Sequence, residues 1–131
     1  MVFKYEYIGK TLGGINIPLV TITDFARSNK KKRTLLMVGR IYGGETHSSW
    51  LIHGFIRFLT SKSKYAKQLR SRFVFKILPM LNVDGVVAGN YRATFAGLDI
   101  LRCFGEDATS AELNPRLTPE ATLLRKLVRS S

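Results

Sequence analysis

A nearly continuous apolar run, Thr34 to Ile41, gives way to Gly43 and Gly44, and the apolar residues Leu51, Ile52, Phe55, Ile56 and Leu59 then recur at helical spacing. A second strand-like stretch follows from Arg72 to Pro79, in which Phe73, Phe75 and Ile77 alternate. This order of strand, helix and strand constrains the fold more than any other feature, because it requires a parallel pair joined by a crossover. The first run reads as a strand buried on both faces. Thr46, Ser48 and Ser49 supply side-chain oxygens suited to a helix start, so the helix is expected from Thr46 to about Phe58 or Thr60. Tyr65 to Ser71 either continues it or forms a further turn.

Two strands are expected ahead of this unit, Val2 to Ile8 and Ile17 to Thr23, paired antiparallel across the turn residues Gly9, Gly13 and Gly14. Asp24 to Arg33 reads as a basic loop. Beyond Pro79 the chain is punctuated by Asp84, Gly85, Gly89, Asn90, Gly97 and Gly105 and reads as loop. A last helix is expected from Pro119, a favourable first helical residue, to Val128. The expected class is α/β, a mixed sheet with helices packed on it, in one domain over residues 1–131.

In a parallel crossover the carboxyl ends of both strands point the same way, so the loops Tyr42 to Glu45 and Leu81 to Gly85 are expected side by side, where open α/β sheets bind ligands. Glu45 and Asp84 are the first acids after long stretches without any. Two readings of them stand. They are ligand-facing carboxylates, or Glu45 caps a helix and Asp84 makes a turn.

Composition bears on partners through charge: 21 Lys and Arg against 9 Asp and Glu give +12, a field that attracts polyanions. Arg27, Lys30, Lys31, Lys32 and Arg33 form one cluster. Arg57, Lys62, Lys64, Lys67, Arg70, Arg72 and Lys76 fall in the acid-free interval between Glu45 and Asp84. A solvated basic surface explains the same pattern. The single cysteine, Cys103, excludes an internal disulfide and a thiolate metal cage, and reads as a small buried hydrophobe. No apolar run reaches the ~18 residues of a membrane helix. The first residues lack the features of a secretory signal, so the expected compartment is the cytosol.

The run Gly39-Arg40-Ile41-Tyr42-Gly43-Gly44-Glu45-Thr46-His47-Ser48-Ser49-Trp50 resembles the zinc-binding segment of the cytosolic carboxypeptidases, the branch of the carboxypeptidase A type that trims glutamates from tubulin and other acidic tails. Phe75 to Val86, Gly89-Asn90-Tyr91-Arg92 and Ala96 to Arg102 are similar, in order, to further segments of that family. Ile17 to Thr23 matches its lead-in. The resemblance covers nearly Gly9 to Arg102 and implies an incomplete carboxypeptidase-like α/β domain.

Carried over residue by residue, the resemblance implies that Glu45 is the carboxylate ligand of a zinc ion and that Tyr42 stands where the family has its first zinc-binding histidine. A phenol replaces imidazole poorly as a ligand at neutral pH. Arg92 matches the arginine that polarises the scissile carbonyl, a task suited to a permanent charge. The family's Asn-Arg pair that grips the substrate carboxylate falls on Leu101 and Arg102. Asp84 and Asn90 lie in the matched segments and are implied to face substrate. The second zinc histidine and the general-base glutamate of the family fall beyond Ser131. A pairing of Glu45 with His47 on a metal is disfavoured, because helix residues two apart point to different sides.

Two functions are implied. One is the front part of a zinc carboxypeptidase acting on acidic tails, incomplete and inactive alone. The other is a non-catalytic module in which Arg92, Arg102 and the basic surface hold such tails. Nucleic-acid binding is weaker, since no recognition motif accompanies the charge. A partner or a missing C-terminal half is expected to cover an open strand edge, with Leu36, Phe73, Phe75 and Ile77 as candidates for exposure.

Overall fold

Strand β1 (Phe3–Lys10) turns back through Thr11 to Ile15 into β2 (Asn16–Ile22), antiparallel, with a register shift between Tyr7 and Gly9. A basic loop then leads to β3 (Arg33–Val38), α1 (Thr46–Thr60), α2 (Lys64–Arg72) and β4 (Phe73–Leu78), and β3 and β4 pair in parallel. Short α3 (Val83–Ala88) and long α4 (Pro119–Arg129) complete the chain. This computed structural model describes residues 1–105, 108–109 and 114–130.

The four strands stand in the order β1-β2-β4-β3, so β4 is inside the sheet, antiparallel to β2 and parallel to β3. Strand alternation divides the core in two. Val20, Ile22, Phe75 and Ile77 point to one face and pack with Ile52 and Leu59 of α1. Ile17, Leu19 and Leu78 point to the other and pack with Leu81, Ile100, Cys103 and the α4 residues Ala121, Leu124 and Leu127. Burying a side chain of this size contributes about 1.5–3 kcal/mol, so the two clusters fix the helices to opposite faces.

Several expectations are corrected here. The first apolar run is not buried on both faces: β3 ends at Val38, pairs only with β4 among the described residues, and leaves Leu35 exposed. Phe75 and Ile77 are fully or almost fully buried beneath α1, and Phe73 and Leu36 are half-buried. Leu51, which fits the helical spacing, faces solvent. Residues 83–88, expected as loop, form a helix too short for a periodic signal, started by Asn82, whose side chain accepts from the Gly85 N–H at 2.9 Å.

Candidate functional site

The loops after β3 and β4 lie against each other at the carboxyl edge of the parallel pair, as the crossover requires. The Gly39 N–H donates to the Leu78 carbonyl at 2.8 Å, Leu81 N–H to Gly39 at 3.0 Å, and Asn82 N–H to Arg40 at 2.9 Å. Arg40 holds a left-handed backbone with φ of 48°, unusual for a residue with a side chain. Its guanidinium supports that conformation, Nε donating to Ser49 Oγ at 2.8 Å and Nη1 to the Gly43 carbonyl. Arg40 therefore shapes the Tyr42–Glu45 loop, a role that its place in the matched motif did not reveal.

The glycines of this loop are needed for close approach. A Cβ on Gly43 would stand 2.5 Å from the Asn90 carbonyl oxygen and 2.9 Å from the Gly85 carbonyl carbon, both backbone. The Gly44 N–H donates to the Tyr91 carbonyl at 2.8 Å. These contacts bring the segment Asn90 to Asp99 over the loop.

At that junction Tyr42, Arg92 and Asp99 meet. Arg92 Nε and Nη2 each lie 2.7 Å from Asp99 Oδ2, and the guanidinium carbon is 5.1 Å from the centre of the Tyr42 ring. The Tyr42 hydroxyl is 3.5 Å from the same carboxylate oxygen. Asp99 is mostly buried while the Arg92 side chain is 59% exposed. Burial works to raise the Asp99 carboxyl, but the Arg92 hydrogen bond, the Leu101 N–H and the Arg92 charge outweigh it and hold the group below its ordinary range. The Asp99 bond and charge raise the Arg92 guanidinium above its ordinary value. Sequence reasoning gave Asp99 no role, although it lies in the matched segment Ala96 to Arg102.

Glu45 precedes the first residue of α1, yet its side chain makes no capping hydrogen bond. The helix start is secured instead by Ser48, whose hydroxyl donates to the Glu45 carbonyl at 2.8 Å and accepts from the Arg40 N–H at 3.0 Å. The Glu45 carboxylate thus stays unspent beside the loop. Arg102 is exposed on a single 3-10 turn, Arg102–Phe104. Cys103 is buried, its thiol 3.5 Å from the Asp99 carbonyl.

Asp84 and Asn90, implied by the resemblance to face substrate, are both engaged in hydrogen bonds within the chain. Asp84 is 3% exposed. Its Oδ1 accepts from the Thr11 hydroxyl and its Oδ2 from the Gly13 N–H, each at 2.7 Å, so it ties the β1–β2 turn to α3. Asn90 donates from Nδ2 to the Thr94 carbonyl at 3.3 Å and closes its own turn.

The zinc carboxypeptidase family model matches residues 1–122. The chain belongs to the zinc carboxypeptidase family. Within it the chain is similar to the cytosolic carboxypeptidases: it is 37% identical to cytosolic carboxypeptidase 1 of Danio rerio over 95% of its length, and 42% identical to cytosolic carboxypeptidase 4 of Mus musculus over 76%. It spans 11% and 10% of those two proteins. Its fold is that of metallo-carboxypeptidase from Burkholderia cenocepacia (TM-score 0.84, 23% identity, 98% of this chain and 33% of that one). It is also that of carboxypeptidase A from Helicoverpa armigera (TM-score 0.74, 20% identity, 97% and 37%).

The family implies zinc, but the residues present here do not fit it. Among the described residues no three His, Cys, Asp or Glu side chains come together. Where an imidazole is expected stands Tyr42, a phenol with its ring under the Arg92 guanidinium and its hydroxyl 3.5 Å from Asp99 Oδ2, a poor substitute for imidazole as a ligand. His47 and His53 are exposed on α1, and His53 lies against Trp50.

Proposed function

We propose that this chain forms the front part of a carboxypeptidase-like site for the C-terminal end of acidic, glutamate-rich protein tails, tubulin among them, in the cytoplasm. By itself it binds such an end without hydrolysing it. The observation that carries this reading is the stacking of Arg92 on Tyr42: the position of a metal ligand is occupied by a phenol, while the arginine keeps its charge and its exposure. Arg102 then acts as a carboxylate holder, for which a planar guanidinium with paired donors is suited, and Arg92 does so through the donors that Asp99 leaves. The net charge of +12 favours encounter with acidic chains.

One observation favours a second reading, a zinc peptidase whose remaining ligands come from residues outside this chain. The Glu45 carboxylate is partly buried and unspent on the helix it precedes.

The test uses a glutamate-terminated peptide with a free or an amidated C-terminus, followed by calorimetry and by mass spectrometry with zinc added. The expected result is tighter binding of the free acid, no released glutamate, and no gain in zinc affinity from Tyr42→His. Release of glutamate overturns the non-hydrolytic reading in favour of the second one. Equal binding of the two peptides overturns chain-end recognition.

A further inference from the structure

At the opposite edge of the sheet, where β3 and β4 begin, two adjoining concavities share Arg27 and Ser71. Their walls are the loop before β3 and the end of α2. Five exposed cations line them: Arg27, Lys31, Arg33, Lys67 and Arg72. Among the described residues the lining holds a single carboxylate, Asp24, and it is already paired, 3.4 Å from Arg27 Nε.

The walls are held together by buried polar groups. Thr23 is fully buried, and its hydroxyl donates toward the Phe73 carbonyl at 2.8 Å and the Arg70 carbonyl at 3.2 Å. Lys32 Nζ donates to that hydroxyl at 3.0 Å and to the Asp24 carbonyl at 2.6 Å, and the Asp24 N–H donates to Arg70 at 3.1 Å. Arg70 is buried and its guanidinium binds the carbonyls of Leu59 and Ser61 at the end of α1. Two of the chain's cations are thus consumed in fixing the loop, and five others, Arg27 with Asp24 beside it, line the groove.

We infer that this groove is a second binding site, for the body of an acidic polypeptide, separate from the carboxyl-edge loops. The preference for a polypeptide rests on the proposed function; the groove's charge does not. A single-stranded nucleic acid binds through exposed aromatic platforms. The one ring in this lining, Phe73, is packed against Phe75 at 5.9 Å and half-buried. β3 is six residues long, so the two edges are about 20 Å apart, and a tail that engages both must exceed about six extended residues.

The experiment is fluorescence anisotropy of the 131-residue protein with a labelled oligoglutamate whose C-terminus is amidated, which removes chain-end recognition from the signal. Arg27, Lys31, Arg33, Lys67 and Arg72 are changed together to Gln, and a control variant carries the same charge loss at Lys10, Arg57, Lys62, Arg116 and Arg129. Circular dichroism confirms that both fold. The expected result is about a tenfold or greater loss of affinity in the groove variant, little loss in the control, and weakening with salt. Equal losses in both variants, or no binding by the wild-type protein, overturn the inference. Duplex DNA that binds tighter than the peptide, and loses that binding in the groove variant, overturns the polypeptide occupant. Failure of chain-end recognition is read separately, from the free-acid peptide.

Discussion

The Arg92 guanidinium lies over the ring of Tyr42, 5.1 Å from its centre, while its nitrogens hold Asp99 at 2.7 Å. One side chain therefore joins the loop after β3 to the segment after α3. The ring under that guanidinium is a phenol at the position where an imidazole ligand is expected, which is why the family's metal and this chain's residues disagree.

Removing that cation reports on its partner. Arg92→Gln is expected to raise the Asp99 carboxyl, because burial then acts with less opposition. A carboxyl held low in the folded state stabilises above its unfolded value and loses that contribution as pH falls through the folded value. The acid limb of a thermal unfolding series should flatten in the variant, and carboxyl-carbon NMR titration reads the shift directly. Tyr42→Phe should change little, since the hydroxyl is 3.5 Å from the carboxylate and the ring remains.

Glu120 has the opposite sign. It is fully buried in the first turn of α4; burial, and to a smaller degree the Asp84 charge, push it above its ordinary value of 4.5 against the opposing pull of the Glu120 and Leu12 backbone N–H groups. The folded state keeps its proton over a pH range where the unfolded state has lost it, so stability falls as pH rises from 4.5 through the folded value. Glu120→Gln should raise the melting temperature at neutral pH, with the gain vanishing below about pH 4. A gain that is the same at every pH contradicts this account.

Glycine substitutions separate close approach from open space. Gly43→Ala meets backbone atoms at 2.5 and 2.9 Å and should destabilise by about 1–3 kcal/mol, with loss of the loop geometry around Tyr42. Gly54 lies in α1 with nothing within 4 Å of the added carbon, so Gly54→Ala should stabilise by about 1 kcal/mol. Chemical denaturation of the two variants decides both.

Arg70→Met removes a buried guanidinium that binds two carbonyls at the end of α1. Hydrogen bonds to a charged group contribute about 1.5–3 kcal/mol, and the midpoint of urea unfolding should fall accordingly. Hydrogen exchange should quicken in the last turn of α1 and in the loop before β3.

The sequence by itself determined the elements that periodicity reports. The helix expected from Thr46 to Phe58 or Thr60 is α1, and the alternation of Phe73, Phe75 and Ile77 is β4. The parallel crossover and the neighbouring loops at its carboxyl edge followed from those elements, because a chain leaving one strand for another through a helix has few ways to return. Family membership was legible in the ordered motifs. Strand order was not: whether β3 or β4 lies inside depends on which strand β2 pairs with, and that pairing is a contact between residues distant in sequence. The destinations of the acids were hidden for the same reason. Asp84 bonds Thr11 across 73 positions, and Arg92 reaches Tyr42 only after the loops fold over each other. A side chain's charge and spacing are local properties, while burial and partnership are set by what the tertiary structure brings beside it.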